Sequence, residues 1–374
     1  MKKLFLFLFV VASMAGCGKS EPVIKVGFVA PLTGDQAAHG LDMKQGAELA
    51  LEDALKVGPI VPGYTIELLA LDDARNPAQA VSAAKRLAAD PDVLAVIGHL
   101  NSSCTKPASA IYHEARMLHV SPVSSNPDIS RQGFDTFYRI CPTDDLQGPA
   151  AAGFAMKKLG AKKIFVLDDL TTYGRGLSNE FEQSAKKMGA EILGHEGITQ
   201  GEKDFSPVLT KIKGLQPDLI FFAGMYPEGA LLIQQRAKLG ITAKFLGGDG
   251  LYEQSLIQLA TPQAAEGVYL TALGGDVRLL PSAQAFIQAY EKKYGHLGAY
   301  SSYMYEATRL VLEMIRTAGV KDRAAVLEAM KKLKEYPGIL GTHTFDEKGD
   351  TRLRTIGIYT VSEGKFKFVE AVNP

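Results

Sequence analysis

Short runs of apolar residues alternate along the chain with segments whose apolar positions recur at helical spacing. Ile24–Val29 reads as a buried strand and Met43–Leu55 as a helix with Ala47, Leu51 and Leu55 on one stripe. Ile66–Leu71 and Val93–Ile97 read as further strands, separated by a helix marked by Val81, Ala84, Leu87 and Ala88. Another helix is expected near Ala108–Ala115. The pattern pauses around Phe137–Gly148 and then restarts. Strands at Lys163–Leu167, Glu191–Gly194, Leu219–Ala223 and Lys244–Leu246 alternate with helices at Gly176–Met188, Phe205–Leu215 and Gly229–Leu239. Strands that are apolar throughout and bounded by helices predict an α/β chain with doubly wound parallel sheets covered on both faces. The end of the chain differs. Tyr303, Ala307, Leu310 and Met314 form one helical stripe, and Ala324–Leu333 is a second helix. Thr351–Thr360 and Lys365–Val369 then read as a hairpin turning at Glu363 and Gly364.

The first residues change the picture of where this chain works. Lys2 and Lys3 precede the apolar run Leu4–Val11, and small residues, Ser13 to Gly16, lead to Cys17. A charged start, a short apolar core and small residues before a cleavage point make an export signal. The run is too short to span a bilayer stably. Small residues directly before a cysteine resemble a bacterial lipobox, in which Cys17 is lipidated; the alternative is an ordinary secretory signal with an incidental cysteine. The expected division is a signal at 1–16 and a lipidated tether at 17–22. The place is periplasmic or cell-surface, lipid-anchored to the membrane, where ATP and nicotinamide cofactors are not supplied.

What remains of the 374 residues is too long for one compact core and suits two lobes. With 41 basic and 41 acidic residues the chain lacks the basic surface that nucleic acid requires. Beyond Cys17 it has Cys104 and Cys141. They either pair in a disulfide, which an oxidising compartment favours, or stay as buried thiols.

Little here points to covalent chemistry. None of His39, His99, His113, His119, His195, His296 and His343 forms a metal-ligand pair at helical spacing with a nearby glutamate, so no metal is expected. The first strand is followed by Pro31, Leu32, Thr33 and Gly34, with no dinucleotide fingerprint, and no phosphate loop occurs elsewhere; no cofactor is expected. Ser103 to Lys106 matches the serine β-lactamase nucleophile pattern, but the supporting elements are missing. Pro107 fits the first turn of a helix there. An enzyme with Ser103 and Lys106 as its catalytic groups is therefore the weaker reading.

The loops after the strands offer binding instead. Leu100, Asn101, Ser102 and Ser103 follow one strand and open a helix, where hydroxyls and free amides suit a carboxylate. Ser124 and Ser125 follow the next strand, Tyr173 follows another, and Asp249 lies between Gly248 and Gly250 after a fourth. Ligands of doubly wound sheets sit outside such carboxyl ends.

Four stretches carry a resemblance over nearly the whole length after the signal: Gly98–Ser109 (GHLNSSCTKPAS), Gly197–Ser206 (GITQGEKDFS), Asp144–Gly148 (DDLQG) and Phe345–Asp350 (FDEKGD). In these the chain resembles the substrate-binding proteins of branched-chain amino-acid ABC transporters, of the leucine/isoleucine/valine type. The resemblance implies two α/β lobes joined by three crossings: 23–143 with 273–355, and 144–272 with 356–374. It implies a monomer that closes on a free amino acid and delivers it to an ABC permease in the inner membrane, without catalysis. By position, Ser102, Ser125 and the backbone of Val123 should hold the ligand carboxylate. Tyr173 should close over the ligand and Asp249 should pair with its ammonium. His39, Leu100, Asn101, Met225 and Tyr300 should surround the side chain. Departures stand out. His39 and Met225 replace aromatic residues, Asp249 replaces Glu, and the family's usual disulfide is absent because its positions hold Arg75 and Asn101. Binders of an amide, urea or aromatic acid, and sensory modules, share the implied fold.

Overall fold

The computed structural model describes residues 22–374; the expected signal, Cys17 and most of the tether lie outside the described residues. The first half of the chain builds one sheet from β1 (Val23–Ala30), β2 (Thr65–Asp72), β3 (Val93–Gly98), β4 (Leu118–Ser121) and β5 (Phe137–Arg139). Their order is β2-β1-β3-β4-β5, all parallel. Helices α1 (Ala37–Val57), α2 (Pro77–Ala89) and α3 (Ser102–Glu114) connect them. Every residue of β3 and β4 is buried, as expected of strands covered on both faces. Asn76 starts α2 by accepting from the amides of Ala78 and Gln79, with Pro77 at the first position.

A second sheet follows: β6 (Lys163–Asp168), β7 (Glu191–Gly197), β8 (Leu219–Ala223), β9 (Lys244–Gly247) and β10 (Tyr269–Leu273). Its helices are α4 (Asp144–Lys157), α5 (Thr172–Lys187), α6 (Ser206–Leu215), α7 (Tyr226–Lys238), α8 (Gln254–Ala260) and α9 (Pro262–Ala265). The chain then returns to the first lobe for α10 (Gln284–Tyr294), α11 (Ser301–Ala318) and α12 (Arg323–Lys332), which pack against α1, β3 and β4. Gly46 of α1 lets α11 come close, since a Cβ there would stand 2.3 Å from the carbonyl oxygen of Ser301. A two-stranded ladder, β11 (Tyr336–Pro337) with β12 (Thr342–His343), precedes the last hairpin. That hairpin, β13 (Ile356–Ser362) and β14 (Lys365–Val372), joins the second sheet antiparallel, giving the order β14-β13-β10-β9-β8-β6-β7.

The fold is thus two doubly wound α/β lobes with three crossings, after β5, after β10 and before β13. Ile140 and Pro142 of the first crossing, Gly274 to Asp276 of the second and Leu353 and Thr355 of the third line one mainly apolar cavity of about 310 Å³.

Several expectations shift. Helix α3 begins at Ser102, so Pro107 lies in its sixth position rather than its first turn. The pause at Phe137–Gly148 contains β5 and the start of α4. Helix α4 escapes a periodicity reading because Ala150, Ala151, Ala152 and Ala155 are buried beside Asp144, Gln147 and Gly148, leaving no polar face to set a stripe. Strand β13 starts five residues later than expected, because Thr351 bridges to Phe345 instead of continuing the hairpin. The possible Cys104–Cys141 disulfide is not formed. Both cysteines are free and fully buried. Cys104 lies on α3 in the field of Asp73 and Arg75, and Cys141 lies in the first crossing in the field of Arg139 and Asp144. Each packs there as a small apolar group, and burial pushes both thiols well above their ordinary range.

Candidate functional site

The carboxyl ends of both sheets face a common cavity. Leu100, Asn101 and Ser102 reach it from the β3–α3 junction, and Val123 and Ser125 from the loop after β4. Tyr173 comes from the start of α5, Met225 from the residue before α7, Asp249 from the turn after β9 and Tyr300 from the residue before α11. These nine line a small cavity of about 20 Å³. His39 does not line it. Its ring lies fully buried on α1, packed against Tyr300 at 4.7 Å and Tyr226 at 5.0 Å between centroids.

Asp249 is the electrostatic centre. Its Oδ1 accepts from Gln147 Nε2 at 3.0 Å and from the Tyr173 hydroxyl at 2.8 Å. Its Oδ2 accepts from the Tyr300 hydroxyl at 2.9 Å, a bond that spans the two lobes. Gln147 is fixed in turn, since its Oε1 accepts from the amide of Asp249 at 3.1 Å and from Thr271 Oγ1 at 2.8 Å. The turn leaves no room for a side chain at Gly248, where a Cβ would stand 2.3 Å from the Tyr173 hydroxyl. Burial pushes the Asp249 carboxyl above its ordinary range, against the opposing effect of those three donors. Asp144, also fully buried, is raised by burial and by the nearby charge of Asp249.

The other wall is neutral. Ser102 and Ser125 are buried, and Ser102 Oγ accepts from the amide of Asn126 at 3.3 Å. Asn101 opens α3 without a side-chain capping bond, so the first amides of the helix gain nothing from it. Ser124, the neighbour of Ser125, plays a different part. Its hydroxyl meets the carbonyls of Leu100 at 2.9 Å and His99 at 3.1 Å, tying the two loops together. Lys106 points away toward Asp128 at 3.5 Å, so no serine–lysine pair forms with Ser103. Among the described residues, no three His, Cys, Asp or Glu side chains are grouped as metal ligands.

Residues that the sequence reading did not single out hold the lobes together. Asp73, bonded to His99 at 2.7 Å, accepts from the amide of Arg75, which adopts a left-handed backbone with φ of 60°. The Arg75 guanidinium then meets Glu228 of α7 at 3.2 Å and Asp169 at 3.5 Å in the other lobe. Gln200, with its amide oxygen turned inward, accepts from the same guanidinium. Tyr226 donates to the carbonyl of Asp35 at 2.5 Å, and Asn126 Nδ2 to that of Thr172 at 2.8 Å. Gln147 sits inside the DDLQG stretch, but its role was not visible there. One arginine among many basic residues gives no signal of a buried partner 153 positions away.

A cleft between two crossed lobes, closed by buried contacts and holding a buried carboxylate, is the geometry of a ligand trap. A family model of periplasmic binding proteins matches residues 23–365. The chain belongs to the periplasmic binding protein family. Leu/Ile/Val-binding protein homolog 1 of Brucella suis is 34% identical over 372 residues, covering 99% of each chain. The leucine binding protein LivK of Thermotoga maritima superposes with a TM-score of 0.87 at 32% identity, over 94% of this chain and 99% of that one. LivJ of Streptococcus pneumoniae, a branched-chain amino acid transporter substrate binding protein solved with isoleucine, gives 0.86 at 29%, over 94% and 100%. In this periplasmic binding protein the cavity lies where the strand ends of the two sheets converge.

Proposed function

We propose that the protein captures a free amino acid of the branched aliphatic class between its lobes and presents the closed, loaded form to an ABC permease in the membrane, held nearby by lipid on Cys17. The placement of Asp249 carries this reading: a carboxyl side chain, buried and oriented by three donors, lines the same cavity as Ser102 and Ser125. A zwitterion leaving water loses hydration of several kcal/mol per charge, so each pole needs a matched partner. Asp249 supplies the countercharge for the ammonium. The hydroxyls of Ser102 and Ser125, with amides near Val123 and the start of α3, supply donors for the carboxylate. Tyr173 and Tyr300 bond to Asp249 from opposite lobes, so closing also completes the acid's own hydrogen bonds. Apolar wall from Leu100, Met225 and Tyr300 contributes about 0.8 kcal/mol for each ligand methylene it buries. No step breaks or makes a covalent bond. Calorimetric titration with the twenty amino acids tests the reading. Binding by leucine, isoleucine or valine is expected, and the absence of heat with every aliphatic amino acid rejects it.

A further inference from the structure

A larger chamber adjoins the cavity just described. Asp249 and Tyr300 line both, so the hydrogen bond between them is a partition. The chamber holds about 440 Å³, which is in the range of small-molecule sites. Five aromatic residues line it: Tyr300 and Tyr303 from the first lobe, and Tyr252, Tyr359 and Phe366 from the second. Tyr252 packs on Tyr359 at 4.6 Å and edge-on against Phe366 at 5.0 Å between centroids, so this wall is already assembled. The first turn of α11 supplies polar groups. The hydroxyls of Ser302 and Tyr303 bond to no group among the described residues, although these two chamber residues are only 3% and 8% exposed. Asp42 accepts from the amides of Tyr300 and Ser301 at 2.8 Å each, which leaves the next two amides of this 18-residue helix without a side-chain acceptor. Buried polar groups of this kind cost free energy that a ligand or an ordered water must restore.

We infer that this chamber is a second binding site, and that it takes an aromatic carboxylate independently of the smaller cavity. The rings of Tyr252, Tyr359 and Phe366 offer a flat apolar group stacked and edge-on contacts. The Ser302 and Tyr303 hydroxyls, at the positive end of α11, offer a carboxylate its donors. The charges around the chamber agree with an anion. Its acids already have donors: Asp249 has its three, Glu253 accepts from the amide and hydroxyl of Ser255 at 3.2 and 3.0 Å, and Asp276 accepts from the amide of Arg278 at 2.9 Å. Among the bases, Arg278 pairs with Glu291 at 2.8 Å, whereas the side chains of Lys365 and His296 make neither hydrogen bond nor ion pair among the described residues. The unmatched charge is therefore positive. A cation there would meet the same end of α11 and the exposed Lys365, both unfavourable to it. The assignment does not depend on what the smaller cavity binds.

Calorimetric titration of phenylacetate and of 2-naphthoate into the full protein tests this, first alone and then at saturating leucine. At least one of the two should bind at one site per chain in both conditions. It should bind about tenfold or more tighter than its own uncharged amide, which keeps the ring and removes the charge. Ser302→Ala and Tyr303→Phe should each weaken the acid by about fivefold or more and leave leucine affinity unchanged. Should either variant fail to fold, Lys365→Met, at an exposed position, serves for the same readout. No heat with either acid overturns the inference. So does displacement of the acid by leucine, which would put it in the smaller cavity. An amide that binds as tightly as its acid, or an affinity indifferent to the variants, overturns it as well. Absence of heat with leucine removes the amino-acid reading alone, and the titrations without leucine, with the variants, still decide the chamber.

Discussion

Arg75 of the first lobe and Glu228 of the second meet at 3.2 Å, with 6% and 2% of their side chains exposed. Neither belongs to the ligand cavity. The pair, with Asp169 beside it, is buried between the two lobes. If the protein traps its ligand as proposed, the energy of this pair bears on the balance between open and closed forms.

Arg75→Ala leaves Glu228 and Asp169 buried without their cation whenever the cleft shuts. Breaking a buried pair in this way costs about 3–5 kcal/mol, part of which water recovers in the open form. We expect ligand affinity to fall by about 2–4 kcal/mol, by the same factor for every ligand. Small-angle scattering should show a more open molecule at equal ligand saturation. A loss that differs between ligands would instead place Arg75 in contact with them.

Asp249→Ala should weaken amino-acid binding by at least about 2 kcal/mol, since it strands the buried ammonium. An unchanged affinity takes Asp249 out of the site. The wild type should also bind more weakly in acid. Burial raises the Asp249 carboxyl in the empty cleft, whereas an ammonium favours the ionised form. Affinity is thus full above that raised pKa and declines as pH falls through it. Titrations from neutral pH downward should show this slope in the wild type, and Asp249→Asn should flatten it.

His195 of β7 bonds to Asp168 at 2.8 Å and to Glu182 of α5 at 2.6 Å, and these two acids raise its pKa, the bond to Asp168 most of all. A histidine raised on folding stabilises the protein fully below its unfolded pKa, and that contribution is lost as pH rises through the folded value. His195→Gln should therefore cost about 1–2 kcal/mol at pH 6 and progressively less in alkaline solution. Urea denaturation of both proteins at several pH values measures the difference.

Cys104 and Cys141 should both titrate with a thiol reagent in denaturant without any reductant, and neither should react in the native protein. Peptide mapping after alkylation identifies them. A bridged pair released only by reductant would contradict their separate burial.

The alternation of apolar strands and helices made the two-lobe fold legible, because parallel strands covered on both faces leave an unbroken apolar run such as Val93–Gly98. Helix α4 stayed hidden, since a helix buried on most sides has no polar stripe to give its period. At the site, loop chemistry at strand ends marked Ser102, Ser125, Tyr173 and Asp249, which converge on one cavity. What composition and spacing do not carry is long-range pairing. Arg75 with Glu228 and Gln147 with Asp249 depend on which loops the topology brings face to face. His39 shows the same limit, standing behind Tyr300 rather than beside it on the cavity wall.

Strand β10 pairs with β13, Tyr269 opposite Thr360, although three helices of the other lobe lie between them in sequence. During synthesis the flank of β10 must wait, unpaired, until almost the last residues leave the ribosome. Pairing so far apart along the chain is slow, and a bare apolar edge invites association with other nascent chains. A protein stopped short of Ile356 should accordingly aggregate rather than fold as a smaller version of itself, which makes the extreme C-terminus a poor place for trimming.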